Sequence, residues 1–588
     1  MKGVSVAGAK IAMRTRIWEE APKFAQLALL QTVVRDGAHV GTVHALHALA
    51  NPDRLALVDK HTAWDFAETN AKINQVCHGF QRLVKTGDRP RVVLCMENRV
   101  EYALVWFALF RLGWPAVHAS DASTVEELRY LFGHSDAAIC VGSKKTIKNL
   151  EQAAPSTTTV FCVDKVLVGS RALQLLEFIS TCPRTMYQRQ RKLAVENVVY
   201  TSGTTGKPKG AVRDFGRMGL KEMAEILERL PISLQERHLV VSKLYHSAGQ
   251  AFLLIMAALG ATIYLEDHFD PEGVVRSIHE NGITSMFMVP TMIARILQLD
   301  DEIFEKYPPQ DLQMIISGAG PFGQLLRERA IERFGETAIY DFYGASELGW
   351  VTLVSGTEML ERPGTQGTPL RGQEIRIVDG DTVLPPHTMG LIQVRTYSRM
   401  EGYLGDVAAS DDVLSEDGWM TVDDTGYLDE DGYLYISGRA RDMIISGGVN
   451  IYPVEIEDVL ARHPSIQDVA VVGAPDEMWG ESLVGCVVAE GEFDAKAVET
   501  WAREHLTSYK IPRIWMVLDE LPRNATGKVV KRDLEEMAAA RVKGDAKAAS
   551  SAAETTEAKA EAKTKAAAKA PAKTGKKKSA GAKSKPKK

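Results

Sequence analysis

Apolar and polar positions fall into blocks of two lengths along this chain. Short apolar runs at Val92–Met96, Pro115–His118, Ala137–Val141 and Thr159–Val163 predict buried strands. Longer stretches with near-helical apolar spacing, Ile73–Val84 and Glu101–Leu112, predict the helices between them. A second series runs from Gln250 to Tyr340, with strands predicted at Thr284–Met288, Met314–Ser317 and Ile339–Phe342. Alternation of this kind predicts an α/β layered architecture with largely parallel sheets. After Gly390 the blocks shorten into strands and turns. From Asp442 to about Ala540 a separate βαβ-like rhythm follows: helix over Val454–Arg462, strands over Asp468–Val472 and Val484–Val488, helix over Lys496–Leu506. That rhythm predicts a small second domain, with Gly438-Arg439-Ala440-Arg441 at the junction.

The two ends read differently. Pro22–Arg35 has a helical pattern with Phe24, Leu27, Leu30 and Val34 on one side. That face either packs on the main body or lies on a membrane surface. His39, His44 and His47 have no thiol or carboxylate at ligand spacing and read as packing or surface histidines. From Arg541 the composition collapses to Ala, Lys, Ser, Thr, Gly and Pro, which cannot build a core, so 541–588 reads as a disordered tail. The expected division is 1–50 as an N-terminal extension, 51–440 as a large domain, 441–540 as a small one and 541–588 as the tail.

A length of 588 residues requires more than one core. The net charge of −6 conceals a split, since the tail from Arg541 carries 15 Lys/Arg against 4 Asp/Glu, a balance of +11 that leaves the body at −17. Such a tail suits an anionic membrane surface, nucleic acid or the acidic body itself. The six cysteines are scattered and form no CxxC pair, which argues against a zinc site or disulfide framework and for a reducing cytosol. No apolar run reaches membrane-spanning length. A cytoplasmic protein, peripheral at most to the inner face of the membrane, is expected.

The chemistry centres on Tyr200-Thr201-Ser202-Gly203-Thr204-Thr205-Gly206-Lys207-Pro208-Lys209-Gly210, which follows the short apolar strand Asn197–Val199. Glycines free the backbone, successive N–H groups form an anion-binding concavity, and hydroxyls and lysines complete a phosphate site. The Walker pattern is absent, because only Thr204 and Thr205 separate Gly203 from Gly206, and Pro208 follows Lys207.

This run resembles the signature loop of the adenylate-forming superfamily: acyl-CoA synthetases, luciferases and the adenylation domains of peptide synthetases. Further stretches match in order and spacing from about Ala50 to Leu534. The resemblance implies a large AMP-binding domain of layered α/β subdomains and a small mobile C-terminal α+β domain. It implies that Thr201, Ser202, Gly203, Thr204, Thr205, Gly206 and Lys207 hold the phosphates of ATP. Gly318, Ala319 and Gly320 would line the adenine and acyl sites. Asp341, Phe342, Tyr343, Gly344 and Ser346 would extend the nucleotide site, with Tyr343 stacked on adenine and Ser346 at the α-phosphate. Glu347, with Thr201, would hold Mg²⁺, a hard cation that prefers oxygen. Asp424 and Arg439 would reach the ribose, Lys528 would be the catalytic lysine, and His246 would border the acyl pocket. Gly447 and Gly448 would line the path of coenzyme A. Departures from the family pattern at Ser346, Val422-Asp423, Val449, Arg441, Leu391 and Ser120–Ser123 bear on subfamily.

The implied reaction is attack of a carboxylate on the α-phosphorus of ATP, then rotation of the small domain at Arg441 and transfer of the acyl group to the coenzyme A thiol. The apolar segment Ala251–Met256, the small Gly318 and Gly320, and the lack of a charged partner for a second polar group resemble bacterial fatty-acyl-CoA synthetases, so a medium to very long fatty acid is expected. A fatty-acyl-AMP ligase loading a carrier protein, and a non-catalytic protein acting through its tail, are the alternatives.

Overall fold

The computed structural model describes residues 40–542 apart from 86, 167, 189–194, 202–207, 215–219, 234–235, 416, 477 and 525–526. The helix expected over Pro22–Arg35, His39, the loop residues Ser202, Gly203, Thr204, Thr205, Gly206 and Lys207, and all but the first two tail residues lie outside the described residues. The chain falls into two compact units. The larger runs to Met443 and takes in Tyr452–Arg462 and Arg523–Lys528; the smaller holds Ile444–Ile451, His463–Pro522 and the chain from Val529. The helix Pro453–Leu460 and the turn bearing Lys528 thus group with the larger unit, unlike the expected split at 440/441.

Two mixed sheets and one antiparallel sheet build the larger unit. In the nine-stranded sheet, Leu55–Val58, Thr262–Leu265, Arg237–Val240, Ser285–Met288, Met314–Ser317 and Ile339–Ala345 run parallel side by side, with antiparallel strands at both edges. In the eight-stranded sheet, Glu196–Thr201, Ala116–His118, Val92–Cys95, Ile139–Gly142, Thr159–Cys162 and Leu173–Gln174 are parallel, and Lys209–Asp214 and Gly402–Tyr403 close one edge antiparallel. The expected strands of both series are present.

One helix explains how the two sheets share a core. Every residue of Val100–Leu112 is buried, the pattern of a helix covered on all sides. Its side chains join one cluster with Val92, Leu94 and Val141 of one sheet and Ile263, Phe287 and Ile316 of the other. Its two charges are compensated: Arg111 donates to Asn74 Oδ1 and the Gly41 carbonyl at 2.6 Å, and Glu101 pairs with Arg99 at 2.7 Å. An unpaired charge there would cost several kcal/mol, on the order of 3–5. His44 packs between Phe66 and Phe107 at 5.0 and 5.8 Å, the packing alternative for that histidine.

The smaller unit is a five-stranded sheet with two long antiparallel strands, Ile466–Asp476 and Gly480–Ala489. The sequence predicts shorter strands, over Asp468–Val472 and Val484–Val488. Ile466–Asp476 lies at a sheet edge, however, where the missing N–H of Pro475 removes no ladder bond that a neighbour needs. A closing helix over 531–542 buries Leu534 and Ala538 against this sheet. All six cysteines are buried free thiols. Among the described residues, no helix is long and apolar enough to cross a membrane.

Buried histidines link stability to pH. Burial pushes both His118 and His238 down to about 3. The unfolded chain protonates these rings below about pH 6.5 while the folded chain excludes the protons. Stability should therefore be free of their influence above that pH and fall as pH drops from about 6.5 toward about 3. His238→Asn should make the denaturation free energy shallower against pH across that window; an unchanged slope would mean that the folded protein accommodates the charged ring.

Candidate active site

In open α/β sheets, ligands bind beyond the carboxyl ends of the parallel strands. Four adjacent strands of the nine-stranded sheet deliver the sequence-predicted residues there. Arg237–Val240 leads to Tyr245-His246, Ser285–Met288 to Pro290-Thr291, Met314–Ser317 to Gly318-Ala319-Gly320, and Ile339–Ala345 to Ser346-Glu347. Ala319 has φ +63°, a left-handed conformation that a residue with a Cβ adopts only at a cost.

Asp424 and Arg439 face each other across the antiparallel pair Asp424–Leu428 and Leu434–Arg439, with Nε and Oδ1 3.5 Å apart. The Tyr343 hydroxyl donates to Asp424 Oδ2 at 2.8 Å. Burial pushes the Asp424 carboxyl up, and Arg439 and Tyr343 oppose the shift. Burial pushes Lys528 down, and so does the neighbouring charge of Arg439, while Asp424 and Asp442 oppose the shift. Lys528 therefore lies within electrostatic reach of the Asp424–Arg439 pair. Its turn is fixed by two bonds with Asn524, whose N–H donates to the Lys528 carbonyl at 2.9 Å and whose Oδ1 accepts from the Lys528 N–H at 3.0 Å. Gly527, at φ +78°, lies so close to Thr291 that a Cβ would meet Oγ1 at 2.4 Å.

Glu347 is held by two groups that sequence reasoning missed. The Tyr403 hydroxyl donates to Oε1 at 3.0 Å, and the buried Arg213, which donates to the Ser398 carbonyl at 2.8 Å, senses its charge. Tyr403 is 56 positions from Glu347, so nothing local in the sequence couples them. Among the described residues no group of three or more His, Cys, Asp or Glu could hold a metal ion. A single carboxylate does fit Mg²⁺, which is commonly held by one or two carboxylates together with substrate phosphates. The Ser346 and Ser247 hydroxyls lie 3.0 Å apart beside it. Of Thr201, only its strand position opposite Lys209 is described.

The other predicted residues are distributed as follows. Asp341 is committed to a buried ion pair with Arg327 at 2.7 Å, and its Oδ1 has no partner among the described residues. Gly344 approaches the Gly349 carbonyl so closely that a Cβ would stand 2.2 Å from it. The expectation that Gly318 leaves open space is corrected: the Phe342 ring lies where its side chain would be, 2.3 Å from an added Cβ. Phe342 in turn packs with Phe252, Phe287 and Trp350 at centroid distances of 6.1, 6.1 and 4.9 Å. His246 precedes the helix Ser247–Ala258; its Nε2 is buried with no partner among the described residues, and burial pushes the ring down to about 4. Both stems of the glycine-rich loop are tied to one helix, Val125–Ser135. Its Tyr130 hydroxyl donates to the Pro208 carbonyl at 3.0 Å, and its His134 Nδ1 lies 2.9 Å from the Tyr200 hydroxyl. In the smaller unit, Gly447 and Gly448 are the two-residue turn between Ile444–Ser446 and Val449–Ile451, with φ +60° and +80°, as a type I′ loop requires. Trp479 covers Gly447.

A carboxylate, a guanidinium and an amine near the ends of parallel strands are groups that a nucleotide-using α/β enzyme needs. Residues 45–404 match the family model of the AMP-binding enzymes, and residues 455–528 that of the AMP-binding enzyme C-terminal domain. The chain belongs to the AMP-binding enzyme family. It is 30% identical to a 2-succinylbenzoate–CoA ligase of Bacillus licheniformis, over 82% of this chain and 97% of the relative. The solved o-succinylbenzoate CoA synthetase of Bacillus subtilis, in complex with its acyl-adenylate intermediate, superposes with a TM-score of 0.71 at 28% identity, covering 84% of this chain and 97% of that one. A fatty acyl CoA synthetase of Mycobacterium tuberculosis gives 0.65 at 25% identity, over 86% and 99%.

Asp423 is a direct test of the local geometry. It stands at φ +63°, beside Asp424, where the resemblance leads one to expect glycine. Asp423→Gly should stabilise the protein by about 0.5–1 kcal/mol, because the left-handed cost exceeds the extra chain entropy of glycine. Loss of stability in urea denaturation would contradict the strain.

Proposed function

We propose that this protein activates a carboxylic acid with ATP, forming an acyl-adenylate and pyrophosphate, and then transfers the acyl group to the thiol of coenzyme A. The observation that carries this reading is the contact of Asp424 with Arg439 and Tyr343, with Lys528 within electrostatic reach. Asp424 has one oxygen on the Tyr343 hydroxyl and the other toward Arg439. That arrangement suits acceptance of ribose hydroxyls by the carboxylate, with Arg439 alongside. Lys528 then stands at the α-phosphate side and stabilises charge as the acid oxygen bonds to phosphorus and the bridge to the β-phosphate breaks. Glu347 would hold Mg²⁺, which supplies positive charge to the phosphate oxygens. His246 borders the acid as a neutral imidazole near pH 7, so its Nε2 can hydrogen-bond without adding charge. In the second step, the thiol sulfur bonds to the acyl carbon and the carbon–oxygen bond to AMP breaks. Gly447 and Gly448 are the residues proposed for the thiol's approach.

For the acid, we favour one with a compact aromatic body, of the kind named for the 2-succinylbenzoate ligases, over the fatty acid expected from the sequence. Phe342 stands against Gly318 and packs with Phe252, Phe287 and Trp350, an aromatic setting that suits an aromatic acid. A fatty acid is the second reading, favoured by the apolar helix Ser247–Ala258 and by the room left at Gly320, whose nearest neighbour to an added Cβ is Pro290 at 3.6 Å.

Lys528→Ala should lower acid-dependent pyrophosphate exchange by ~100-fold or more, while thioester formation from supplied acyl-adenylate stays within a few-fold of wild type. Equal loss of both half-reactions would contradict the role given to Lys528. Across 2-succinylbenzoate, benzoate and dodecanoate, kcat/KM should be highest for an aromatic acid; preference for dodecanoate would establish the second reading.

A further inference from the structure

We propose that Tyr403 is the positioning residue that aims Glu347 at a divalent cation and ties that carboxylate to the outgoing stem of the glycine-rich loop. This rests on the reading of Glu347 as a metal ligand.

Tyr403 is fixed by its backbone before its side chain acts. The strand Gly402–Tyr403 pairs with Lys209–Asp214, placing Tyr403 opposite Ala211. The Leu404 N–H donates to the Gly210 carbonyl, the Glu401 N–H to the Val212 carbonyl and the Tyr403 N–H to Ser410 Oγ, each at 2.8 Å. The phenol cannot drift relative to the loop stem without breaking this ladder. Glu347 is fixed to the same segment, since its carbonyl accepts from the Met400 N–H at 2.8 Å.

The side chain then faces two ways. Its ring lies under the Lys209 ammonium, with Nζ 5.1 Å from the centroid, a cation–π distance. Its hydroxyl donates to Glu347 Oε1 at 3.0 Å. A phenol with an ordinary pKa of about 10 is protonated at neutral pH, so the hydroxyl is a donor. Among the described residues no other hydrogen bond reaches the Glu347 carboxylate. One oxygen accepts the tyrosine hydroxyl, and the other would be presented to the cation. Mg²⁺ demands near-octahedral geometry, so the angle at which one carboxylate oxygen is presented matters. A hydrogen bond to the other oxygen sets that angle, as outer partners of metal ligands do elsewhere, and its loss costs roughly 10–100-fold in metal affinity.

The experiment is an electron paramagnetic resonance titration of Mn²⁺ into the full-length protein with α,β-methylene-ATP, comparing wild type, Tyr403→Phe, Glu347→Gln and the double variant. Phe keeps the ring and its contact with Lys209. Tyr403→Phe should raise the Mn²⁺ dissociation constant about 10-fold without moving the thermal midpoint appreciably. Glu347→Gln should weaken Mn²⁺ at least as much, and the double variant should be no weaker than Glu347→Gln alone, because the hydroxyl acts only through that carboxylate. If Tyr403→Phe binds Mn²⁺ within twofold of wild type while Glu347→Gln weakens it, Tyr403 is a packing residue and the proposal falls. If Glu347→Gln leaves Mn²⁺ binding unchanged, Glu347 is not the metal ligand, and the assignment falls at that earlier point.

Discussion

The register between Asp424–Leu428 and Leu434–Arg439 is the constraint on which the site depends. Only in that register do Asp424 and Arg439 stand opposite each other. A slip of one residue would send both side chains to the other face of the sheet. A break in register between Thr425 and Gly426 fixes the pairing, and Gly426 makes it possible: a Cβ there would stand 2.1 Å from the Tyr435 carbonyl. A bulge of this kind re-aims the residues beside it. Tyr343 reaches the carboxylate from the nine-stranded sheet, and Lys528 from a turn of its own, so three separately built parts meet at one charge.

Desolvation gives that charge its leverage. Asp424 is partly removed from water, and the cost of burying a carboxylate is offset only by Arg439 and the Tyr343 hydroxyl. The same removal from water strengthens any interaction the pair makes with a polar ligand. Glu347 has different partners, a tyrosine hydroxyl and the charge of a buried arginine. Arg213 is pushed down to about 10 by burial, and the charge of Glu347 opposes that shift.

Much of this was legible in the sequence, because the residues lie at strand ends that apolar runs announce. Met314–Ser317 and Ile339–Ala345 are short buried strands, and the polar residues that follow them have to sit at the sheet edge. Asp424, Arg439 and Lys528 could be named from motif and spacing. What linked them could not: Tyr343 reads as a flat ring for stacking, and only three-dimensional packing turns its hydroxyl to Asp424. Tyr403 was invisible for the same reason, since its partners Glu347 and Lys209 are distant in sequence. The openness attributed to Gly318 failed because a glycine announces room for a neighbour without saying whether a ligand or Phe342 will take it. The long edge strand Ile466–Asp476 was shortened because edge position, which tolerates Pro475, is a property of the sheet and not of the segment.

The central claim is that an oxygen of the acid becomes bonded to the α-phosphorus at the Asp424–Lys528 site. It is tested most directly by supplying an acid with ¹⁸O in its carboxylate, together with ATP and coenzyme A, and weighing the products by mass spectrometry. The account predicts AMP carrying one ¹⁸O, left behind when the thiol displaces the acyl group. Unlabelled AMP, or label appearing in inorganic phosphate with ADP as the nucleotide product, would contradict it.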